Sequence, residues 1–371
     1  MATDITKSAR PGNPVRYGLI GAGMMGCEHI LNLAKIPQAE VVAIAEPNGT
    51  PRGWAEACCG ERFTPRWFDS HTDMLEACAV DLDVIVIATP NMTHIDVLRD
   101  TMRTDIAIMC EKPMCTTIED ALEVHRLAAE RQAMTWVALE YRYMPTVERF
   151  AHLVHEGTAG RPAMLRISEH RFPFLPKVDD WNRFNANTGG TFVEKCCHFF
   201  DLMRLTLGEN PTTVYAVGHQ RVNHVNESYD GRTPDILDHG FVTVSFPSGA
   251  SAVLDLCMFA EGAKFEQELA LIGDEAKIET TVPGQDVWVR PRHTPAFAVD
   301  APLADEVAYE GFHHGSSFRE HLRLLEALAE GRSADVTTAD GVWSVAMGAA
   351  AHRSIELGTP VSLADLLPAN W

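Results

Sequence analysis

Several things are scarce in this 371-residue chain. It has no long apolar run. The longest runs, of which VIVIA at Val84 to Ala88 is one, fall far short of the ~20 residues a membrane-crossing helix needs. The opening stretch, MATDITKSARPGNPV, has no apolar segment of the secretory kind. Basic residues are outnumbered, with 31 Lys and Arg against 51 Asp and Glu, a formal charge of −20. Such a surface repels DNA, RNA and anionic membranes, so no nucleic-acid or membrane partner is expected. A disulfide framework is missing too. The nine cysteines are an odd number, set as Cys58–Cys59 and Cys196–Cys197 plus singles, and adjacent cysteines bridge only with strain. Reduced thiols in a cytoplasmic protein are the expectation. The chain carries no internal repeat and no low-complexity segment.

What is present is ordinary globular composition, 46% hydrophobic and 22% charged, in a chain long enough for two domains. The first part alternates apolar strands with helical periodicity: VRYGLI, then CEHILNLAKI, then AEVVAIA, and later DVIVIATPN and IAIMCEKP. Strands apolar on both faces and separated by helices predict a doubly wound parallel sheet over residues 1–136. Thr116 with Glu119 reads as the capping box of a following helix. After Trp136 the pattern changes. AMLRISEHRF, TTVYAVGHQRV, GFVTVSFPSGASAVLDLCMF and FEQELALIGDEAKIETTV alternate polar with apolar, with turns at FPSGA and IGDEA. Two C-terminal helices, each ended by Gly, complete an α+β domain over 137–371 built on a large, mostly antiparallel sheet with one face free. Pro-containing loops near 171–181 and 291–302 are candidate borders of a site.

Gly21-Ala22-Gly23-Met24-Met25-Gly26 fits G-x-G-x-x-G between a strand and a helix, and Glu46 ends the next strand. This is the dinucleotide fingerprint in its required context. Gly21 allows the tight turn, Gly23 lets backbone amides approach a pyrophosphate, and Gly26 permits close helix–strand packing. The helix N-terminus adds positive potential. Glu46 can accept from the adenosine ribose and repels a 2′-phosphate. NAD is therefore expected over NADP, although Arg52 lies nearby. CEKPMC places Glu111 and Lys112 at the carboxyl end of a strand, where ligands of open parallel sheets bind.

The sequence resembles the Gfo/Idh/MocA oxidoreductase family. The resemblance rests on GLIGAGMMG, ATPNMTH (Ala88 to His94), EKP (Glu111 to Pro113), YRYMP (Tyr141 to Pro145) and GGTFVEKCCHFFDLMR, in the family's order. It implies a Rossmann domain joined to a domain with a large open sheet, and hydride transfer between a nicotinamide and a sugar, cyclitol or similar polyol. It implies that Lys112 contacts cofactor and substrate, that His198 is the acid/base, and that Thr89, Pro90, Asn91 and His94 follow the cofactor. It also implies a homodimer or homotetramer formed through the open sheet.

GGTFVEKCCHFF, residues 189–200, crowds two cysteines between a glutamate and a histidine. Read as one helix over 192–207, it puts Glu194, His198 and Asp201 on one stripe and Cys196 in the core. Cys196 and Cys197 diverge by about 100°, so no shared metal is expected there. Family members usually carry aspartate where Glu194 stands. Glu194 is expected to orient His198 or to bind a substrate hydroxyl, with Arg142, Trp181 and Arg183 as further substrate contacts. In the expected mechanism His198 takes the hydroxyl proton while Lys112 stabilises the oxygen. Two other readings keep the cofactor site: an NAD-dependent glycosidase working through transient sugar oxidation, and a non-catalytic NAD-binding sensor.

Overall fold

The structure, a computed structural model, describes residues 13–301, 307–369 and 371. Most of the N-terminal stretch read above as lacking a secretory segment, and the last residue of the 291–302 loop, lie outside the described residues. The first sheet consists of Val15–Ile20 (β1), Ala39–Ala45 (β2), Arg66–Phe68 (β3), Val84–Ile87 (β4), Ala107–Glu111 (β5) and Thr135–Ala138 (β6). All its pairs are parallel, in the order β3-β2-β1-β4-β5-β6. β4 and β5 are buried at every position, as expected of strands covered on both faces. The strand order reverses between β1 and β4. A crevice opens at the carboxyl ends of strands at such a switch point.

The helices around this sheet are Met24–Leu33 (α1), Gly49–Cys59 (α2), His71–Cys78 (α3), His94–Thr101 (α4) and Ile118–Ala129 (α5). The cap of α5 is displaced by one residue from the expected box. Thr117, not Thr116, accepts from the backbone N–H of Asp120 at 3.1 Å.

The second sheet comprises Pro162–His170 (β7), Thr213–His219 (β8), His239–Ser245 (β9), Ser251–Cys257 (β10), Gln267–Gly273 (β11), Ala276–Val282 (β12), Asp286–Pro291 (β13), Phe297–Asp300 (β14) and Val361–Ser362 (β15). Its order is β14-β13-β12-β11-β7-β10-β9-β8-β15. The central β7–β10 pair is parallel and the remaining pairs are antiparallel. The expected turns fall between β9 and β10 and between β11 and β12. Alternation along β8 and β9 buries every second residue and exposes the rest. The buried face packs on Pro145–His155 (α6), on Cys197–Leu207 (α9), which follows the short turns Asn185–Thr188 (α7) and Thr191–Glu194 (α8), and, after Ser316–Glu330 (α10), on the long helix Thr338–Leu357 (α11).

α11 starts at a reciprocal Thr337–Asp340 capping box and stops at Gly358, whose φ is +69°. α10 stops likewise at Gly331. Both helices return to the first sheet: α10 packs on α1, and α11 on α5 and β6. Trp136 on β6 donates to Glu320 Oε1 of α10 at 2.9 Å. The two sheets are joined by α11, which packs on β8 of the second as well as on β6 and α5 of the first.

Candidate active site

The glycine loop between β1 and α1 is built as tightly as its sequence demands. Gly21 has φ +91°, and a Cβ there would lie 2.6 Å from Ala88 O. A Cβ on Gly26 would lie 2.4 Å from Gly21 O, so only glycine lets the helix sit against the turn. Gly23 differs. A Cβ there would meet nothing within 4 Å, leaving open space at the start of α1 where a ligand can approach the backbone. Glu46 accepts from Ala22 N and Asn48 N, both at 2.9 Å, and from Asn48 Nδ2 at 3.1 Å. Its carboxylate is thus fixed at the end of β2. Arg52 is engaged with Asp69 and Glu56 and lies over the Trp67 ring.

A cavity of about 660 Å³ opens over this loop. Gly21, Gly23, Met24, Met25 and Glu46 line it from β1, α1 and β2. Thr89, Pro90 and Asn91 line it after β4, and Glu111 and Lys112 after β5. Trp181 and Glu194 close it from the second domain, joined by Lys177 and Asp179 of the loop read as a site border. Two buried polar atoms in this lining lack a hydrogen-bond partner among the described residues: the donor Asn91 Nδ2 and the acceptor Glu194 Oε2. An uncapped helix N-terminus, an orphaned amide donor and an orphaned carboxylate oxygen fit a ligand carrying phosphate, amide and hydroxyl groups.

Lys112 leaves β5 through a cis bond to Pro113. Its backbone N–H donates to Glu111 Oε2 at 3.1 Å, while Glu111 Oε1 pairs with His29 Nε2 at 3.0 Å. His29 in turn meets His321 Nε2 at 2.9 Å. Burial raises the Glu111 pKa, but the His29 bond and charge, with Lys112, bring it down to about 2. Burial also works against the Lys112 ammonium. The surrounding Cys197, Glu140, Glu111 and Glu194 outweigh it and raise its pKa.

Glu194 is the reverse case. Burial pushes its carboxyl up to about 7, against the pull of Lys177, Lys112, Arg183 and Lys195. It ends α8, and the helix expected over 192–207 is interrupted just after it. Lys195 and Cys196 form a turn in which Cys196 N points back to Thr191 O, and α9 begins only at Cys197. Lys195 explains the interruption. Its ammonium is buried, 2.6 Å from Tyr141 Oη and 2.9 Å from Glu169 Oε1, partners that a straight helix face does not supply. Both cysteines are buried free thiols, Cys197 pushed up to about 12 chiefly by burial. Among the described residues no group of three His, Cys, Asp or Glu is arranged to hold a metal ion.

His198 is buried and stacks on Tyr141, centroids 3.9 Å apart and planes 7° apart. It does not reach the cavity lining. Neither ring nitrogen has a hydrogen-bond partner among the described residues, and Nε2 lies 3.6 Å from Glu140 Oε1. Burial first, then the charges of Lys112, Lys195, His313 and Arg171, lowers its pKa well below the ordinary imidazole value. The ring is therefore neutral at neutral pH and able to accept a proton.

Four other residues singled out from the sequence also stand away from the lining. Ala22 is buried and contributes its backbone N–H to Glu46. His94 is buried, its ring nitrogens 2.9 Å from Pro113 O and 3.0 Å from Thr89 O, so it braces the two loops behind the site. Arg142 is taken up by Asp201 in a bidentate pair and by Asp340 and the Asp335 carbonyl. Arg183 is buried against Asn182 and Glu227. The sequence reading missed Glu140, Lys177, Lys195 and His313. The first sits one residue before YRYMP and the third inside the quoted EKCCH, but nothing local marks a buried charge.

Two family descriptions match the chain: "Oxidoreductase family, NAD-binding Rossmann fold" over residues 15–139 and "Oxidoreductase family, C-terminal alpha/beta domain" over 151–363. The chain is similar to the uncharacterized oxidoreductase YrbE of Bacillus subtilis (strain 168), 27% identical over 354 residues, 93% of this chain and 96% of that one. It is 24% identical over 352 residues to the scyllo-inositol 2-dehydrogenase (NAD(+)) of the same organism, covering 94% and 96% of the two chains. Its fold matches levoglucosan dehydrogenase solved in complex with NADH, with TM-score 0.83, 20% identity and 95% and 99% of the two chains covered.

Proposed function

We infer the activity from one premise: the chain belongs to the Gfo/Idh/MocA oxidoreductase family. We propose that it transfers hydride between NAD and a hydroxyl or ketone of a sugar or cyclitol. The observation that carries this is the single cleft lined by the glycine loop, Glu46, Lys112 and Glu194. Within it, Gly23 and the start of α1 receive the cofactor's phosphates and Glu46 faces its ribose. Asn91 Nδ2 offers a donor to the bound ligand. The nicotinamide, when bound, supplies the hydride acceptor.

The remaining steps belong to the chain. Lys112, held charged by its carboxylate neighbours, donates to the reacting oxygen and stabilises its developing charge. Glu194 Oε2 accepts from a second hydroxyl, and Trp181 walls the substrate. His198, neutral and with no bond to break, takes the hydroxyl proton as a general base after a small movement toward the cleft. Protons and hydride run the other way in ketone reduction.

Residues 1–136 serve in this account as the cofactor domain and 137–371 as the substrate and oligomerisation domain. The exposed face of the second sheet carries Met164, Tyr215, Val217, Phe241 and Trp288, which supports association through that face into a homodimer or homotetramer. The described residues include no helix long and apolar enough to cross a membrane, and the free thiols support a reducing, cytoplasmic setting. A panel of sugars and cyclitols, offered with NAD and with NADP and followed by cofactor absorbance, tests the proposal. At least one member should reduce NAD, and NAD should outperform NADP. A cofactor that binds tightly yet is reduced by none of them would overturn the reading.

A further inference from the structure

His198 poses a problem for any reaction that charges it. Its side chain is 0% exposed, and its surroundings are cationic: Lys112, Lys195, Arg171 and His313 all disfavour the imidazolium. A proton placed on this ring has no water to leave by and cannot rest there. Beside it lies a second orphan. Glu140, which opens the turn after β6, is 1% exposed, and both carboxylate oxygens lack a hydrogen-bond partner among the described residues. Leaving such a carboxylate unpaired is costly, and a native chain keeps one where it has a task. The same oxygen, Oε1, lies 3.6 Å from His198 Nε2 and 3.7 Å from His313 Nε2. His313 belongs to the loop before α10. Its side chain is 16% exposed, and its Nδ1 lies 3.4 Å from Glu28 Oε1. These separations are slightly beyond hydrogen-bond length, too short for an intervening water, and close with small ring rotations.

We propose that Glu140 and His313 form a proton conduit that connects His198, buried behind the cleft, to solvent. The proposal rests on His198 being the acid/base of the reaction above. The substrate O–H bond breaks as its hydrogen joins His198 Nδ1, while NAD, when bound, would accept the hydride from carbon. The Nε2–H bond then breaks as Glu140 Oε1 is protonated. That proton passes to His313 Nε2, and the hydrogen on His313 Nδ1 leaves to water once the partly exposed ring turns Nδ1 away from Glu28 Oε1. Ketone reduction runs the series inward. The other charged or titratable groups facing Glu140 are Lys112, Glu111, Cys197, Glu320 and Tyr141. Of these, Glu111 is held by His29 and Lys112, and Glu320 by Trp136. Burial, the strongest influence on Glu140, raises its pKa, which favours its taking up a proton.

Three variants test this: Glu140→Gln, which keeps the shape but carries no proton, His313→Ala at the partly exposed end, and His198→Asn. With myo-inositol, or whichever panel member the wild-type chain oxidises, Glu140→Gln and His313→Ala should lower kcat at least about 10-fold. That lies within the ~10²–10⁴-fold span of a lost general base. KM and NAD affinity should hold, and added imidazole should restore His313→Ala. A purely structural role would not give that rescue. On the resting protein, ¹⁵N-histidine NMR should show the ring resonances of both His198 and His313 displaced in Glu140→Gln. If His198→Asn is slow while the other two turn over at the wild-type rate, the conduit is wrong and the acid/base assignment stands. If His198→Asn itself turns over fully, both fall. Unmoved ring resonances in Glu140→Gln overturn the conduit without any substrate.

Discussion

Replacing Glu194 by glutamine should stabilise the protein at alkaline pH and leave it almost unchanged in acid. The side chain is buried in the cleft wall, Oε2 has no partner among the described residues, and burial lifts the carboxyl from its ordinary 4.5 to about 7. A carboxyl whose folded pKa is raised binds its proton more tightly in the native state than in the unfolded chain. Its contribution is present in full below about 4.5 and is lost as pH climbs through about 7. Each tenfold in proton affinity is worth about 1.4 kcal/mol, so the full effect is about 3 kcal/mol. Glutamine is never charged and does not suffer that loss. Urea unfolding of both proteins at pH 5 and pH 8.5, without cofactor, gives the comparison. Most of the difference should appear at the higher pH, with the variant the more stable. An identical stability gap at both values, or a wild type that gains on the variant at pH 8.5, would refute the assignment of Glu194 as an unpaired, raised carboxyl.

Gly26→Ala forces a Cβ to within 2.4 Å of Gly21 O. It should cost about 1–3 kcal/mol as an overpacked site and weaken NAD binding, read by urea midpoint and by quenching of tryptophan fluorescence on titration with NAD. Arg142→Ala leaves Asp201 buried without its bidentate partner. A loss of about 3–5 kcal/mol is expected, with KM for an active polyol unchanged under conditions where the variant stays folded. Lys195→Met strips Glu169 of one of its two cations, the other being Arg171. It should lower the thermal midpoint by a similar mechanism while leaving NAD affinity, measured by the same titration, intact.

Features written in short-range pattern were legible in the sequence. The glycine loop is one: the positive φ of Gly21, the close approach of Gly26 to Gly21 and the open space at Gly23 follow from a short motif between a strand and a helix, although Ala88 on the neighbouring strand end also crowds Gly21. The change from strands buried on both faces to strands that alternate likewise announced the two sheets. Adjacent, equivalent signals produced the displaced cap, because Thr116 and Thr117 each precede an acidic residue by three. The straight helix over 192–207 failed for a different reason. Periodicity places side chains on faces, but the turn at Lys195 is dictated by Glu169 on β7 and by Tyr141. Arg142 was read as a substrate contact because its partners, Asp201 and Asp340, are separated from it by most of a domain. Glu140 and His313 escaped notice on the same grounds: a buried carboxylate is recognised only by what surrounds it.

The proposed chemistry turns on one side chain, and His198→Asn examines it most directly. With NAD bound and a substrate that the wild-type chain oxidises, single-turnover formation of NADH should slow by about 10²–10⁴-fold, while the fluorescence titration gives an unchanged NAD affinity. NADH appearing at the wild-type rate from that variant would contradict the account.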